Sequence, residues 1–161
     1  MSKHTSNGHE RYLELACQEA TAAVVSNKGG PFGAVVVRDG EVISQAHNLV
    51  IESNDPTAHA EITAIRQACA KLGTFSLEGC VLYSSCQPCP MCLGACLWAR
   101  LSKVYYACTE KDAAGAGFDD SYFYSIITDE KKRHEFAVVT PLEGAVRPMQ
   151  LWNNKHDRVQ Y

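Results

Sequence analysis

The chain has 161 residues, 46% hydrophobic and 20% charged, the composition of one globular domain with a core of its own, which excludes disorder, collagen and coiled coil. With 15 basic against 18 acidic residues the net charge is −3, so no general positive field gathers nucleic acid. The longest apolar run, Met91 to Ala99, is about half of the ~18 residues a membrane span needs, and the polar N-terminus shows no signal-peptide core.

In chain order, residues 1–8 are polar and read as disordered, and 9–161 read as one domain. Tyr12, Leu13, Ala16, Ala20, Ala23 and Val24 recur at helical spacing from Glu10 to Ser26, with Gly29-Gly30 past the helix end. Ala34–Val37 and Glu41–Gln45 read as strands around the hairpin signal Asp39-Gly40. Asp55-Pro56 reads as the N-cap and first residue of a helix ending at Gly73. A strand at Cys80–Tyr83, a helix from Pro90 to Arg100 and a strand at Lys103–Ala107 follow. Next come a loop at 112–120, a strand at Phe136–Val139 and a helix at Met149–Asp157. Strands alternating with helices predict a mixed sheet with helices on both faces.

The chemistry concentrates in Cys86-Gln87-Pro88-Cys89-Pro90-Met91-Cys92-Leu93-Gly94-Ala95-Cys96. In a cytoplasmic chain such cysteines read as metal ligands or core thiols before disulfides. The spacing is that of an iron–sulfur run. However, Leu97 stands where a proline should follow the fourth cysteine, no second run exists, and Cys96 falls among Leu97 and Trp98 inside a helix. The stronger reading uses Cys89 and Cys92 with His59 of Asn54-Asp55-Pro56-Thr57-Ala58-His59-Ala60-Glu61. Three protein ligands with a fourth position for water are the catalytic zinc pattern. H-x-E followed by P-C-x-x-C is the signature of zinc nucleobase deaminases, in which the glutamate is an acid/base and not a ligand. Two helix N-termini facing the site favour the thiolates.

The remaining residues carry weaker signals. Asp119 and Asp120 read by themselves as a solvated turn, Asn48 equally as a turn residue, and Trp98 as core first and pocket wall second. Cys17, Cys69, Cys80 and Cys108 read as core thiols. His4, His9, His47, His134 and His156 read as surface residues.

With these motifs the chain resembles the cytidine/deoxycytidylate deaminase superfamily, and within it the small bacterial-type guanine deaminases. The finer likeness rests on N-D-P-T-A-H-A-E, Gly117-Phe118-Asp119-Asp120-Ser121 and the terminal Tyr161. The resemblance implies a three-layer α/β/α sandwich around a mixed five-stranded sheet. It implies one zinc per chain on His59, Cys89 and Cys92, with Glu61 as proton shuttle and Asp120 as a second catalytic carboxylate that also binds substrate. Asn48, Phe32, Trp98 and the backbone N–H of Ala60 would contact the purine. Tyr161 would close the pocket of the other subunit in a domain-swapped homodimer. The implied reaction is hydrolytic deamination of guanine to xanthine and ammonia in the cytoplasm, with no membrane or nucleic-acid partner. Guanosine, tRNA adenosine and cytosine deamination are the alternatives inside the superfamily, and iron–sulfur electron transfer is the alternative outside it. Gln87 stands where this family usually carries glutamate.

Overall fold

A computed structural model describes residues 8–161; apart from Gly8, the expectation for residues 1–8 lies outside the described residues. The chain forms two compact units, 1–120 and 121–161.

The first unit is built on a four-stranded mixed sheet in the order β2-β1-β3-β4. Its strands are β1 Gly33–Arg38, β2 Glu41–His47, β3 Cys80–Cys86 and β4 Lys103–Cys108. Asp39 and Gly40 at φ 51° and 83° make the left-handed hairpin turn that the Asp-Gly pair predicts. β1 is antiparallel to both neighbours, whereas β3 and β4 are parallel. Hence β2, β3 and β4 run in one direction, and the chain leaves β2 and β3 at the same edge of the sheet.

Alternation along the strands sends side chains to two cores. Val35, Val37 and Tyr83 pack with Tyr12 and Ala16 of α1 (Glu10–Val25). Ala34, Val36 and Leu82 pack with Ala60, Ala64 and Ala68 of α3 (Ala60–Leu72), and with Cys96 and Ala99 at the end of α4 (Pro90–Trp98). Small residues on α3 let its backbone approach the sheet closely. α1 and α3 therefore cover opposite faces, as the sequence pattern predicts. At the end of α1 the left-handed residue is Asn27 (φ 57°), not a glycine.

Three elements of the first unit depart from expectation. α3 starts at Ala60 with His59 as N-cap, and not at Asp55-Pro56. Asp55 instead accepts from the backbone N and hydroxyl of Thr57, closing its own turn before the helix. A short α2 (Val50–Ser53) precedes that turn. The expected loop after β4 contains α5 (Glu110–Gly115), because Thr109 and Asp112 form a reciprocal capping box.

The second unit contains α6 (Ser121–Thr128), α7 (Glu130–Phe136) and α8 (Arg147–Asn154). The strand expected at Phe136–Val139 is absent: Asp129 caps α7 by accepting from Lys132 N, and the helix runs on through Phe136. The described residues thus hold four strands, not five. No helix among them is long and apolar enough to cross a membrane.

Candidate metal centre and active site

Both helices that return across the α3 face begin at the edge where β2 and β3 end. His59 and Cys89 are their N-caps, each in extended backbone (ψ 158° and 169°) immediately before the first turn. Pro90 at the start of α4 fixes that turn, and Cys92 lies inside it, buried. The late start of α3 removes a steric difficulty. Residues two apart face different sides of a helix, but His59 precedes the helix while Glu61 occupies its first turn.

His59 Nδ1 lies 3.6 Å from Cys89 Sγ and 3.5 Å from Cys92 Sγ. Tetrahedral zinc with bonds of ~2.05 Å to nitrogen and ~2.3 Å to sulfur sets N and S roughly 3.6 Å apart. All three ligand atoms fall within 4.8 Å of one another. Spacing, geometry and donor types therefore suit zinc with one position left open. Among the described residues no other group of three or more His, Cys, Asp or Glu is so placed.

The electrostatics match that use. The Cys89 thiol is lowered to about 4, chiefly by its hydrogen bond with Cys92 and then by His59. Cys92 is pushed up, first by that same bond and then by burial. A metal needs both cysteines deprotonated, and its charge would hold both as thiolates. His59 is raised, first by its bond to Cys89. Burial pushes up the Glu61 carboxyl. Glu61 Oε2 accepts from Cys92 Sγ at 3.4 Å, and Oε1 accepts from Ser84 Oγ at 3.2 Å. Cys96 is buried one turn beyond Cys92, its thiol pushed up to about 12 by burial, as fits a core residue.

Asn48 is buried. Its side-chain oxygen accepts from Gly30 N at 3.3 Å and Val50 N at 3.1 Å, and its own backbone N donates to Phe32 O. A Cβ on Gly29 would come within 2.2 Å of that Asn48 oxygen. Phe32 packs edge-on against Phe118 at 5.0 Å. Ala60, as the first residue of α3, has a backbone N–H without an acceptor inside the helix. Asp120 is half-buried while Asp119 is exposed. Burial first, then the nearby Cys89 thiolate, raise the Asp120 carboxyl. Tyr161 belongs to the second unit and is exposed.

Several expectations need correction. Trp98 is 65% exposed, so it is not a core residue. Cys17 and Cys108 are exposed, leaving Cys80 buried and Cys69 half-buried. His47 is half-buried, with Nδ1 2.7 Å from Glu19 Oε2, and His9 Nδ1 lies 2.8 Å from Tyr83 Oη while its ring stacks on Tyr105. Sequence reasoning missed Ser84 altogether, read Gly29 only as a helix stop, and took Phe118 only as part of the motif at 117–121. The one available signal for Ser84 was a hydroxyl in the strand row that also carries Leu82.

Residues 6–108 match the cytidine and deoxycytidylate deaminase zinc-binding region. The chain is 50% identical to guanine deaminase of Bacillus subtilis over 95% of its own length and 99% of that protein's. The X-ray structure of the Bacillus subtilis guanine deaminase superposes with a TM-score of 0.89 at 47% identity, covering 95% of this chain and 98% of that one. A tRNA-specific adenosine deaminase of Aquifex aeolicus is 45% identical over 67% of this chain and 71% of its own. The zinc signature, the geometry of His59, Cys89 and Cys92 and these likenesses agree: the chain belongs to the cytidine and deoxycytidylate deaminase family.

Proposed function

We propose that the chain hydrolyses guanine to xanthine and ammonia with one zinc per chain held by His59, Cys89 and Cys92. Identity to a guanine deaminase along nearly the whole chain carries this reading. It spans 155 residues and so includes the second unit, against 108 residues for the Aquifex aeolicus tRNA adenosine deaminase.

Zinc supplies a Lewis acid that brings the pKa of water toward neutrality. Glu61, buried with a raised pKa, takes a proton from the attacking water and passes it to the adjacent ring nitrogen. A C–O bond forms at the carbon bearing the exocyclic amine. Asp120, with Glu61, then moves the proton of the new hydroxyl to that amine, the C=O of xanthine forms as the C–N bond breaks, and ammonia leaves. Asn48 donates from its NH2, because backbone amides already hold its oxygen. Ala60 donates its backbone N–H, and Phe32 and Trp98 flank the ring.

The second unit acts in trans in this reading, Tyr161 of one copy closing the site of the other in a domain-swapped homodimer. Its exposed Phe136, Val138, Val139, Leu142 and Leu151 support a partner surface. The three-layer α/β/α sandwich, one catalytic domain over residues 9–161 and a cytoplasmic role in purine catabolism belong to the same proposal. The net charge of −3 favours a small purine over tRNA.

Ammonia release measured across guanine, guanosine, adenine, cytosine and an adenosine-bearing anticodon stem tests the substrate. Guanine turned over far faster than the others is expected. Preference for any other member overturns the reading.

A further inference from the structure

We infer that Ser84 is a positioning residue for Glu61, anchoring one carboxylate oxygen so that the other can move protons. The inference rests on the proton-shuttle reading of Glu61 proposed above.

Ser84 lies on the central strand β3, 1% exposed, paired across to Ala34 on one side and Tyr106 on the other. Its row of β3 faces α3, where Leu82, Ala34, Ala60 and Ala64 form an apolar core. A hydroxyl buried in such a row is costly unless it is hydrogen-bonded. The Ser84 hydroxyl donates to Glu61 Oε1, itself on a side chain only 5% exposed. The next residue, Ser85, serves the backbone instead, accepting from Gly33 N at 3.0 Å.

The two oxygens of Glu61 are held differently. Oε2 accepts from Cys92 Sγ, but a cysteine that ligates a metal does so as thiolate and has no proton to give. The Ser84 bond involves none of the three ligands, so loading a metal would not require breaking it. It leaves Oε1 tethered to the sheet and Oε2 on the side of His59 and Cys92. A base whose own rotamer is locked in this way keeps its reactive geometry at no entropic cost during turnover. Ser84 touches neither metal ligand nor, in the reading above, substrate.

The test compares zinc-loaded wild type, Ser84→Ala and Ser84→Thr in the full chain. It follows guanine kcat and KM separately, with zinc per chain and thermal midpoint. Ser84→Ala should lower kcat roughly tenfold with KM within about twofold and zinc retained. Ser84→Thr, which restores the hydroxyl, should return kcat to within about threefold of wild type. A Ser84→Ala enzyme with unchanged kcat overturns the inference. So does a loss that falls on KM or on zinc content, or an equal loss in a folded, zinc-loaded Ser84→Thr enzyme. Wild type inert toward guanine would overturn the proposed function, and this inference with it. An active wild type with an indifferent Ser84→Ala variant would overturn only the role of Ser84.

Discussion

Gly29 lies directly against Asn48: a Cβ at position 29 would fall 2.2 Å from the Asn48 side-chain oxygen and 2.3 Å from its backbone oxygen. The glycine is required here for close approach and not for a left-handed turn. If Asn48 binds the purine as proposed, Gly29→Ala should displace its amide and raise KM for guanine by about tenfold or more, with a smaller change in kcat. Steady-state kinetics on the folded, zinc-loaded variant checks this. An unchanged KM would remove Asn48 from the binding of substrate.

Glu61→Gln keeps size and hydrogen bonding but removes the base. Turnover should fall by ~10²–10⁴-fold or more, since the proposed shuttle serves several proton transfers, while zinc stays bound. Metal analysis and single-turnover measurements check both halves. A loss below about tenfold would deny Glu61 the shuttle role.

Asp119 and Asp120 are adjacent, yet Asp119 is exposed while Asp120 is half-buried, its carboxyl raised first by burial and then by Cys89. Asp120→Ala should damage guanine turnover at least about tenfold more than Asp119→Ala. Equal and mild effects would make the loop solvated surface.

The tail carries a prediction of its own. Deleting Val159 to Tyr161 should leave fold and zinc intact but sharply weaken guanine turnover. Mixing the truncated chain with an inactive Glu61→Gln chain should restore part of the activity. In the proposed swapped dimer, the site with its own Glu61 would receive an intact tail from the inactive partner. A silent truncation, or heterodimers that restore nothing, would show that the tail does not act in trans.

Much of this was legible in sequence, and the reasons are local. The Asp39-Gly40 turn, the glycine after Leu72 and Pro90 at the start of α4 act through backbone preferences a few residues long. The metal ligands were legible because H-x-E and C-x-x-C state ligand spacing outright. The start of α3 was misplaced because Asp55 can cap a turn as readily as a helix, and its bonds to Thr57 decide which. The helix through Phe136 hid behind a β-like apolar run, Phe136 to Val139, whose first residue closes a capped helix instead. Trp98 was misread because a large aromatic side chain on an apolar helix reads as core, whatever face it takes. Ser84 and Gly29 stand out only through contacts across elements, Ser84 with Glu61 and Gly29 with Asn48. No spacing rule reports such contacts.

The most direct test of zinc-dependent guanine deamination is a metal titration of the stripped protein, following xanthine formation from guanine. Activity should be absent without metal, rise linearly with added zinc and level off at about one zinc per chain, as a single three-ligand site requires. His59→Ala and Cys89→Ala should bind no zinc and form no xanthine at any point of the titration. Full xanthine formation by the metal-free protein, or a zinc-saturated protein that leaves guanine untouched, would contradict the account.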